Sequence, residues 1–512
     1  MYKINKFEGE IYQKLNKILD SYNQEQNSVI NLAACISYPF TEVLEIQSFP
    51  LATLPTEGAV EKRFFPHCTS LDNIEIYSEE LCLQLFDLNP GDYRVNVQPH
   101  SGTQANQIVY NCVLESDDYI LSLSPKDGGH ISHTYTGKGT VKYYHLDHDL
   151  NIDYIELKEL LDKYKPKLII IGASSYGNEF NYQQIYEIIK EVSPNTLILA
   201  DICHSVLYIM ANLHKSIFPY VDFVTFTMDK CLRGPQGGVL MYRSIFEEKI
   251  TNSIFPRTQG GPTQNALFAK CICLIKLLSI DIQDYAQQVI KNTLLFIKQL
   301  SKEGVDVVYK NSKTHIILVN LLNLNLSGKD AENLLFQHKI LVNRNQIPND
   351  THGPMTTSGI RLGTIGITNL SYTDDDINKL AKLVANLLKY KQYDYSIYLD
   401  LIRKEVNLTA NELEMIEVMM KKKGFEHFSP FARDKLLVEE FEMTAEKWFT
   451  FWQYQKLEQI SRDVYEILIL SRAEHQVTQE HVSILLTCVQ ELIQEIGNSI
   501  PLSQDFRKKY MR

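Results

Sequence analysis

Lys230 stands in TFTMDKCLRGPQGG (225–238), directly after an apolar run of strand character and just before a glycine-rich turn. An amine held at such a strand end can join an aldehyde cofactor as a Schiff base. Upstream, LILAD (197–201) reads as a buried strand ending in a carboxylate, Asp201, which can pair with a protonated ring nitrogen and keep the ring electron-withdrawing. Open α/β sheets place their ligands at strand ends of this kind. Further upstream, NVQPHSGTQAN (96–106) leads into Ile108, Val109, Cys112 and Val113 at helical spacing. At that helix start Ser101, Gly102 and Thr103 offer an anion hydroxyl donors, free backbone N–H groups and the positive end of the helix dipole. The segment lacks the G-x-G-x-x-G pattern of a dinucleotide site, which disfavours a nucleotide-linked oxidoreductase. Each feature alone has an ordinary counterpart: a solvated lysine, an N-capping aspartate, a capped helix start. In combination they describe a site for an anionic aldehyde cofactor.

Those residues need a sheet to hold them. The apolar runs Tyr119–Leu123, Leu168–Gly172, Leu197–Asp201 and Phe223–Thr227, with 239–242, predict strands separated by helical patterns such as 183–192. That alternation predicts an α/β fold with a mostly parallel sheet. A helical N-terminal arm is expected over 1–53, a large α/β domain carrying the site over 54–279, and a smaller α/β domain over 280–390 with a strand at Ile316–Asn320. From 391 to 512 the pattern turns helical. TANE at 409–412 is a capping box, Leu413, Ile416, Met419 and Met420 form an apolar stripe, and Ser429-Pro430 opens another helix. Val482, Leu485, Leu486, Val489, Ile493 and Ile496 follow the 3.6-residue period. Trp448 and Trp452 read as core, and the extension carries no legible chemistry.

Eight segments in order resemble the serine hydroxymethyltransferase family, fold-type I enzymes that use pyridoxal 5'-phosphate. They are EGAVEKRFF (57–65), NVQPHSGTQAN, GGHISH (128–133), GASSYG (172–177), ADICH (200–204), TFTMDKCLRGPQGG, QGGP (259–262) and TSGIRLGT (357–364). The likeness runs from about residue 31 to about residue 388. It implies that Lys230 is the Schiff-base lysine, that Asp201 pairs with the pyridine nitrogen, and that His130 stacks on the ring. Ser101, Gly102 and Thr103 would hold the phosphate, joined by Gly260 and Gly261 from a neighbouring subunit. Ser174 and His204 would lie near the ring's phenolic oxygen, with Thr227 beside the lysine. Arg361 matches the arginine that binds the substrate carboxylate, a task suited to a two-pronged guanidinium. Glu57 matches the family's catalytic carboxylate, which moves a proton near the substrate hydroxyl. The implied reaction makes or breaks the Cα–Cβ bond of a β-hydroxy amino acid through a glycine carbanion, in a homodimer with shared sites.

The departures from the family pattern bear on tuning. Pro55 replaces a tyrosine two residues before Glu57, and Phe64 and Phe65 replace a tyrosine pair, so three phenolic hydroxyls are gone. Asp229 stands where the family has a histidine, and Gln236 where it has the arginine of the GPRGG turn. An adjacent carboxylate favours a charged lysine, and loss of a nearby guanidinium acts in the same direction. The pterin-pocket positions read Phe64, Pro125, Ile131 and Asn345, of which only Asn345 is unchanged. Tetrahydrofolate is the family's one-carbon partner. A folate-independent threonine aldolase or transaldolase using another aldehyde fits the same residues, and a noncatalytic scaffold is the third reading. Retention of Lys230, Asp201, His130, Glu57 and Arg361 together argues for catalysis.

Composition bounds the partners. The 512 residues are 44% hydrophobic and 22% charged, with a net charge of −11, which gives no general attraction to nucleic acid or anionic membranes. Nine scattered cysteines form no disulfide framework, and Cys271 and Cys273 are too close for a zinc knuckle. His145, Asp147, His148 and Asp149 read as a polar loop rather than a metal site. The first fifteen residues hold no signal-peptide apolar block, and no run reaches the roughly 18 apolar residues of a membrane span. A cytoplasmic enzyme without a metal is expected.

Overall fold

The computed structural model describes residues 13–48, 55–391, 397 and 401. The chain divides into two units, Met1–Ile416 and Glu417–Arg512, and every described residue belongs to the first. The capping box at 409–412 and the helical patterns predicted after it lie outside the described residues.

Seven strands build the main sheet: β1 (Tyr93–Asn96), β2 (Tyr119–Leu123), β3 (Thr140–Tyr144), β4 (Leu168–Gly172), β5 (Leu197–Asp201), β6 (Phe223–Thr227) and β7 (Gly238–Arg243). Their spatial order is β1-β7-β6-β5-β4-β2-β3. Strands β2 to β6 pair in parallel, whereas β7 runs antiparallel to both β6 and β1. Parallel neighbours need crossover helices that cover both faces of the sheet, and β4 and β6 are accordingly buried along their whole length. Burying each such Ile, Leu or Val side chain contributes about 1.5–3 kcal/mol. Because β7 returns beside β6 in the opposite sense, the link between them needs no helix. That link is the loop carrying Asp229, Lys230 and the glycine-rich turn.

Helices α1 (Thr69–Leu85) and α2 (Gly102–Val113) precede and follow β1, and α3 (Gln264–Ser279) packs on α1. Cys271 and Cys273 are buried in α3. The long helix α4 (Ile282–Lys302) packs against α5 (Asp374–Tyr390), which starts on a capping box between Thr373 and Asp376. Between them lies an antiparallel sheet of β8 (Asp306–Val307), β9 (Ile316–Asn320), β10 (Asn343–Asn345) and β11 (Gly359–Gly363), ordered β8-β9-β11-β10. The N-terminal arm is not wholly helical. After the helix Gln13–Asn27, Ile30–Asn31 pairs in parallel with Ile340–Leu341, and the chain then enters the helix Thr41–Gln47. Ile30 and Leu32 are fully buried there, so apolar burial overrides the helical pattern.

The segment at 145–149 is closed by its own neighbours: His145 pairs with Glu156 at 2.9 Å, and Asp147 accepts from the backbone N–H of Asp149 and Asn151. Among the described residues no helix is long and apolar enough to cross a membrane.

Candidate active site

The carboxyl ends of β5 and β6 and the start of α2 enclose a cavity of about 160 Å³. It is lined by nine of the residues singled out from the sequence: Ser101, Gly102, Thr103, His130, Ser174, Asp201, His204, Thr227 and Lys230. Asn106, Ser132, Ala173 and Cys203 complete the wall.

Ser101 caps α2, its hydroxyl oxygen accepting from Gln104 N–H at 3.1 Å, which leaves its own O–H and the first free N–H groups of the helix for an anion. The cup is tightly backed. A Cβ on Gly102 would stand 2.7 Å from Thr227 Cγ2, and one on Gly238 would stand 2.3 Å from the Ser101 carbonyl oxygen. Below it, the fully buried Lys270 donates to the carbonyls of Val97 at 2.6 Å, Pro99 at 2.8 Å and Gly238 at 2.9 Å. These three bonds hold the loop that delivers Ser101 against the start of β7. Burial pushes the Lys270 ammonium down to about 7, against the pull of Glu75 and Asp229.

Asp201 is buried, and burial alone would raise its carboxyl pKa; His133, Lys230 and Asn106 outweigh that and hold it well below the usual carboxylate range. Its Oδ2 accepts from Asn106 Nδ2 at 2.8 Å and lies 3.0 Å from His133 Nε2. Thr225 donates to the Asn106 carbonyl oxygen at 2.6 Å and so orients the amide toward the acid. Oδ1 takes the Cys203 N–H at 3.3 Å. The acid therefore closes a turn at a strand end and caps no helix; the following helix, Val206–Met210, begins at Ser205.

The Lys230 Nζ makes no hydrogen bond or ion pair among the described residues. Burial lowers its pKa, yet its acidic neighbours Cys203, Asp201 and Asp229 raise it more, so the amine sits above its ordinary value. Since burial also keeps the Cys203 thiol neutral, the two carboxylates are what hold the ammonium at neutral pH. Asp229 is one of the neighbours that raise the lysine's pKa, the effect expected of an acid at that position; its Oδ1 is buried without a hydrogen-bond partner among the described residues.

His130 caps the turn Ile131–Thr134, its Nδ1 accepting from Ser132 N–H at 3.2 Å, and burial pushes its pKa down to about 4. Arg361, on β11, is not one of the lining residues; it donates through Nε to Asn343 Oδ1 at 3.1 Å and through Nη1 to the carbonyl of Ser174, which does line the cavity. Among the described residues no carboxylate pairs with it. Burial holds its pKa below the ordinary guanidinium value.

Glu57, Gly260 and Gly261 do not line this cavity. They meet one another elsewhere: a Cβ on Gly260 would lie 3.5 Å from Glu57 Oε1, and one on Gly261 3.3 Å from Thr56. Glu57 opens a hairpin, Gly58–Ala59 with Lys62–Arg63, anchored by Arg63. That side chain donates to the carbonyls of Thr56 at 3.0 Å and Gly58 at 2.7 Å and pairs with Asp72 and Glu75. From Glu75 a chain of amides runs through Gln98 (2.8 Å), Gln259 (3.1 Å) and Gln104 (2.8 Å) back to the cup. Phe64 on the hairpin is 70% exposed and Ile131 near the cavity is 63% exposed.

Asn106, His133 and Lys270 are not singled out by the sequence: the first two lie inside the motifs that carry the family likeness but meet Asp201 only in the fold, and Lys270 sits in an ordinary apolar helix.

A group carrying a phosphate, an aldehyde and a basic ring nitrogen fits this donor set. Hydroxyl and N–H donors stand at one wall, an ionised carboxylate at another and an amine between them. Thr227 Oγ1, buried without a partner among the described residues, is a further donor at the cavity. The family model described as serine hydroxymethyltransferase matches residues 8–384. A serine hydroxymethyltransferase of Phytoplasma australiense is 37% identical over 411 residues, covering 78% of this chain and 98% of the relative. This chain belongs to the serine hydroxymethyltransferase family of fold-type I, pyridoxal-phosphate-dependent transferases, enzymes acting on the Cα–Cβ bond of amino acids.

Proposed function

We propose that the chain interconverts a β-hydroxy amino acid with glycine, Lys230 serving as the cofactor-bearing amine and Arg361 as the anchor for the substrate carboxylate. One observation carries this reading: an ionised buried acid and an amine uncommitted among the described residues share a cavity, and a guanidinium with no carboxylate partner among those residues bonds to the carbonyl of Ser174 in its wall. Bound there, pyridoxal phosphate would supply an electron sink for the pair left on Cα when its bond breaks. The Ser101 hydroxyl and the first N–H groups of α2 hold the phosphate. Asp201 keeps a proton on the ring nitrogen, since an ionised carboxylate at that point stabilises the charged ring. His130, neutral at physiological pH, lends its ring face. Two fixed anchors, the cup for the cofactor's phosphate and Arg361 for the substrate carboxylate, would restrict how the substrate turns about Cα.

Glu57 moves the substrate hydroxyl proton. Since Glu57, Gly260 and Gly261 gather away from the chain's own cavity, the reading has them complete the site of a second copy, in a homodimer. The eight cysteines among the described residues are free, which supports a cytoplasmic setting. Tetrahydrofolate is the one-carbon partner in this reading. A folate-independent aldolase is favoured instead by the missing hydroxyls at Phe64 and Phe65.

Glycine α-proton exchange and serine cleavage, with and without tetrahydrofolate, test both. Exchange with folate-stimulated serine cleavage is expected; exchange with threonine cleavage indifferent to folate selects the second reading. No exchange, and no change of the visible cofactor band on adding glycine, overturns both.

A further inference from the structure

Behind the cavity two buried histidines touch. His204 Nδ1 lies 3.2 Å from His315 Nε2, and that same Nε2 lies 3.0 Å from the carbonyl oxygen of Ala34. On the other edge of the ring, His315 Nδ1 lies 3.0 Å from the Tyr208 hydroxyl, whose only hydrogen bond among the described residues is this one. Burial keeps both rings neutral, His315 pushed down to about 3 and His204 well below its ordinary value, so each carries one proton.

The placement of those protons follows from what each neighbour is able to do. A carbonyl only accepts, so Ala34 requires His315 to carry its proton on Nε2. His315 Nδ1 is then a lone pair, which takes the Tyr208 proton. The opposite tautomer would face a lone pair against the Ala34 oxygen and leave the buried Tyr208 hydroxyl with no acceptor, two penalties at once. With the proton on His315 Nε2, His204 Nδ1 has nothing to donate to and accepts. Its own proton must sit on Nε2, the nitrogen left for the cavity that His204 lines.

We infer that His315 is a positioning residue that fixes the tautomer of His204, so that His204 presents an N–H donor to the occupant of the Lys230 cavity. A donor there stabilises an anionic oxygen of the cofactor ring and cannot act as a proton acceptor. The consequence for the cofactor rests on the proposed function; the tautomer does not, and it is readable in the chain without cofactor.

Imidazole ¹⁵N–¹H correlation spectra of the full chain, before and after loading with pyridoxal phosphate, report which His204 nitrogen is protonated, with H204N identifying the signal. In both states Nε2–H should exceed Nδ1–H about tenfold or more, the bias that one unsatisfied buried group sustains. H315Q should keep that ratio, because its amide N–H groups serve Ala34 and His204 while its oxygen accepts from Tyr208. H315L, lacking donor and acceptor, should bring the ratio toward parity. A wild-type His204 protonated at Nδ1 overturns the inference, as does an unchanged ratio in H315L. If H315L does not fold, H315Q decides alone: loss of the ratio there refutes the donor logic.

Discussion

The floor of the Lys230 cavity and the hairpin that opens at Glu57 each hold acids over a buried polar network, and they hold them in opposite ways. At the floor, Asp201 stays ionised although buried, because an amide and an imidazole converge on one of its oxygens and the Lys230 charge lies nearby. Under the hairpin, burial wins: Glu75 is pushed above the usual carboxylate range even with Arg63 and Gln98 bonded to it. Glu57 itself is half-buried on a rim where Phe64 is largely exposed. The floor has its charges set by rigid strand ends before any ligand binds, which is how a site stabilises charge without reorganising. The rim holds Glu57 on a short hairpin, Gly58–Ala59 with Lys62–Arg63, beside the largely exposed Phe64.

Removing the floor's central group should have the largest effect. K230A should lose the adduct that borohydride fixes in the wild-type protein, with turnover down on the order of 10⁴-fold. A labelled peptide elsewhere in K230A would show that another amine does this work. D201N keeps the shape but removes the charge, and should lower turnover on the order of 10³-fold while pyridoxal phosphate still binds. Wild-type turnover in D201N would erase the contrast between floor and rim.

That contrast also separates what the sequence makes legible from what it hides. Strands β4, β5 and β6 are mostly apolar because β4 and β6 are buried throughout and β5 through its middle, so their bounds can be read residue by residue, and with them the positions of Asp201 and Thr227. The edge strand β3 escapes, since TVKYY is half exposed and alternates too weakly, and β1, shorter still at the opposite edge, escapes as well. Asn106 and His133 escape for a different reason. They act on an acid 95 and 68 residues away, a closure only the folded sheet brings about. The rim was legible only through family likeness: nothing in the spacing of Glu57 and Gly260 says that they meet.

A mixing experiment tests whether the rim serves another chain. E57Q alone should lose about 10²–10⁴-fold in activity. Mixed with K230A under conditions that exchange subunits, it should recover about a quarter of wild-type activity, because half of the dimers formed are mixed and each then has one intact site. No recovery would mean that Glu57 acts within its own chain.

Acid stability probes the floor more gently. His130 has its pKa pushed down to about 4 by burial, from an ordinary value near 6.5. Between those two values the unfolded chain binds the proton and the folded chain does not. Stability therefore rises with pH across that window, is fully present above it, and is lost as pH falls from 6.5 toward 4. Denaturant unfolding of the cofactor-free chain should show H130N with a shallower slope, by at most about 1.4 kcal/mol per pH unit. Equal slopes would mean that His130 is solvated and plays no part in the floor.

The smallest effect lies at the rim. In the chain alone Phe64 is 70% exposed, so a hydroxyl added by F64Y would meet water and leave folding stability unchanged within error. If a pterin ring or a second copy covers that position, the same hydroxyl gains a protected partner. The gain is that of one ordinary hydrogen bond, about two- to tenfold. It should appear as a lower KM for tetrahydrofolate in serine cleavage, with threonine cleavage unaffected. An F64Y protein indifferent to folate in both reactions would place the pterin elsewhere and favour the folate-independent reading, because the rim would then bind nothing that a phenol can recognise.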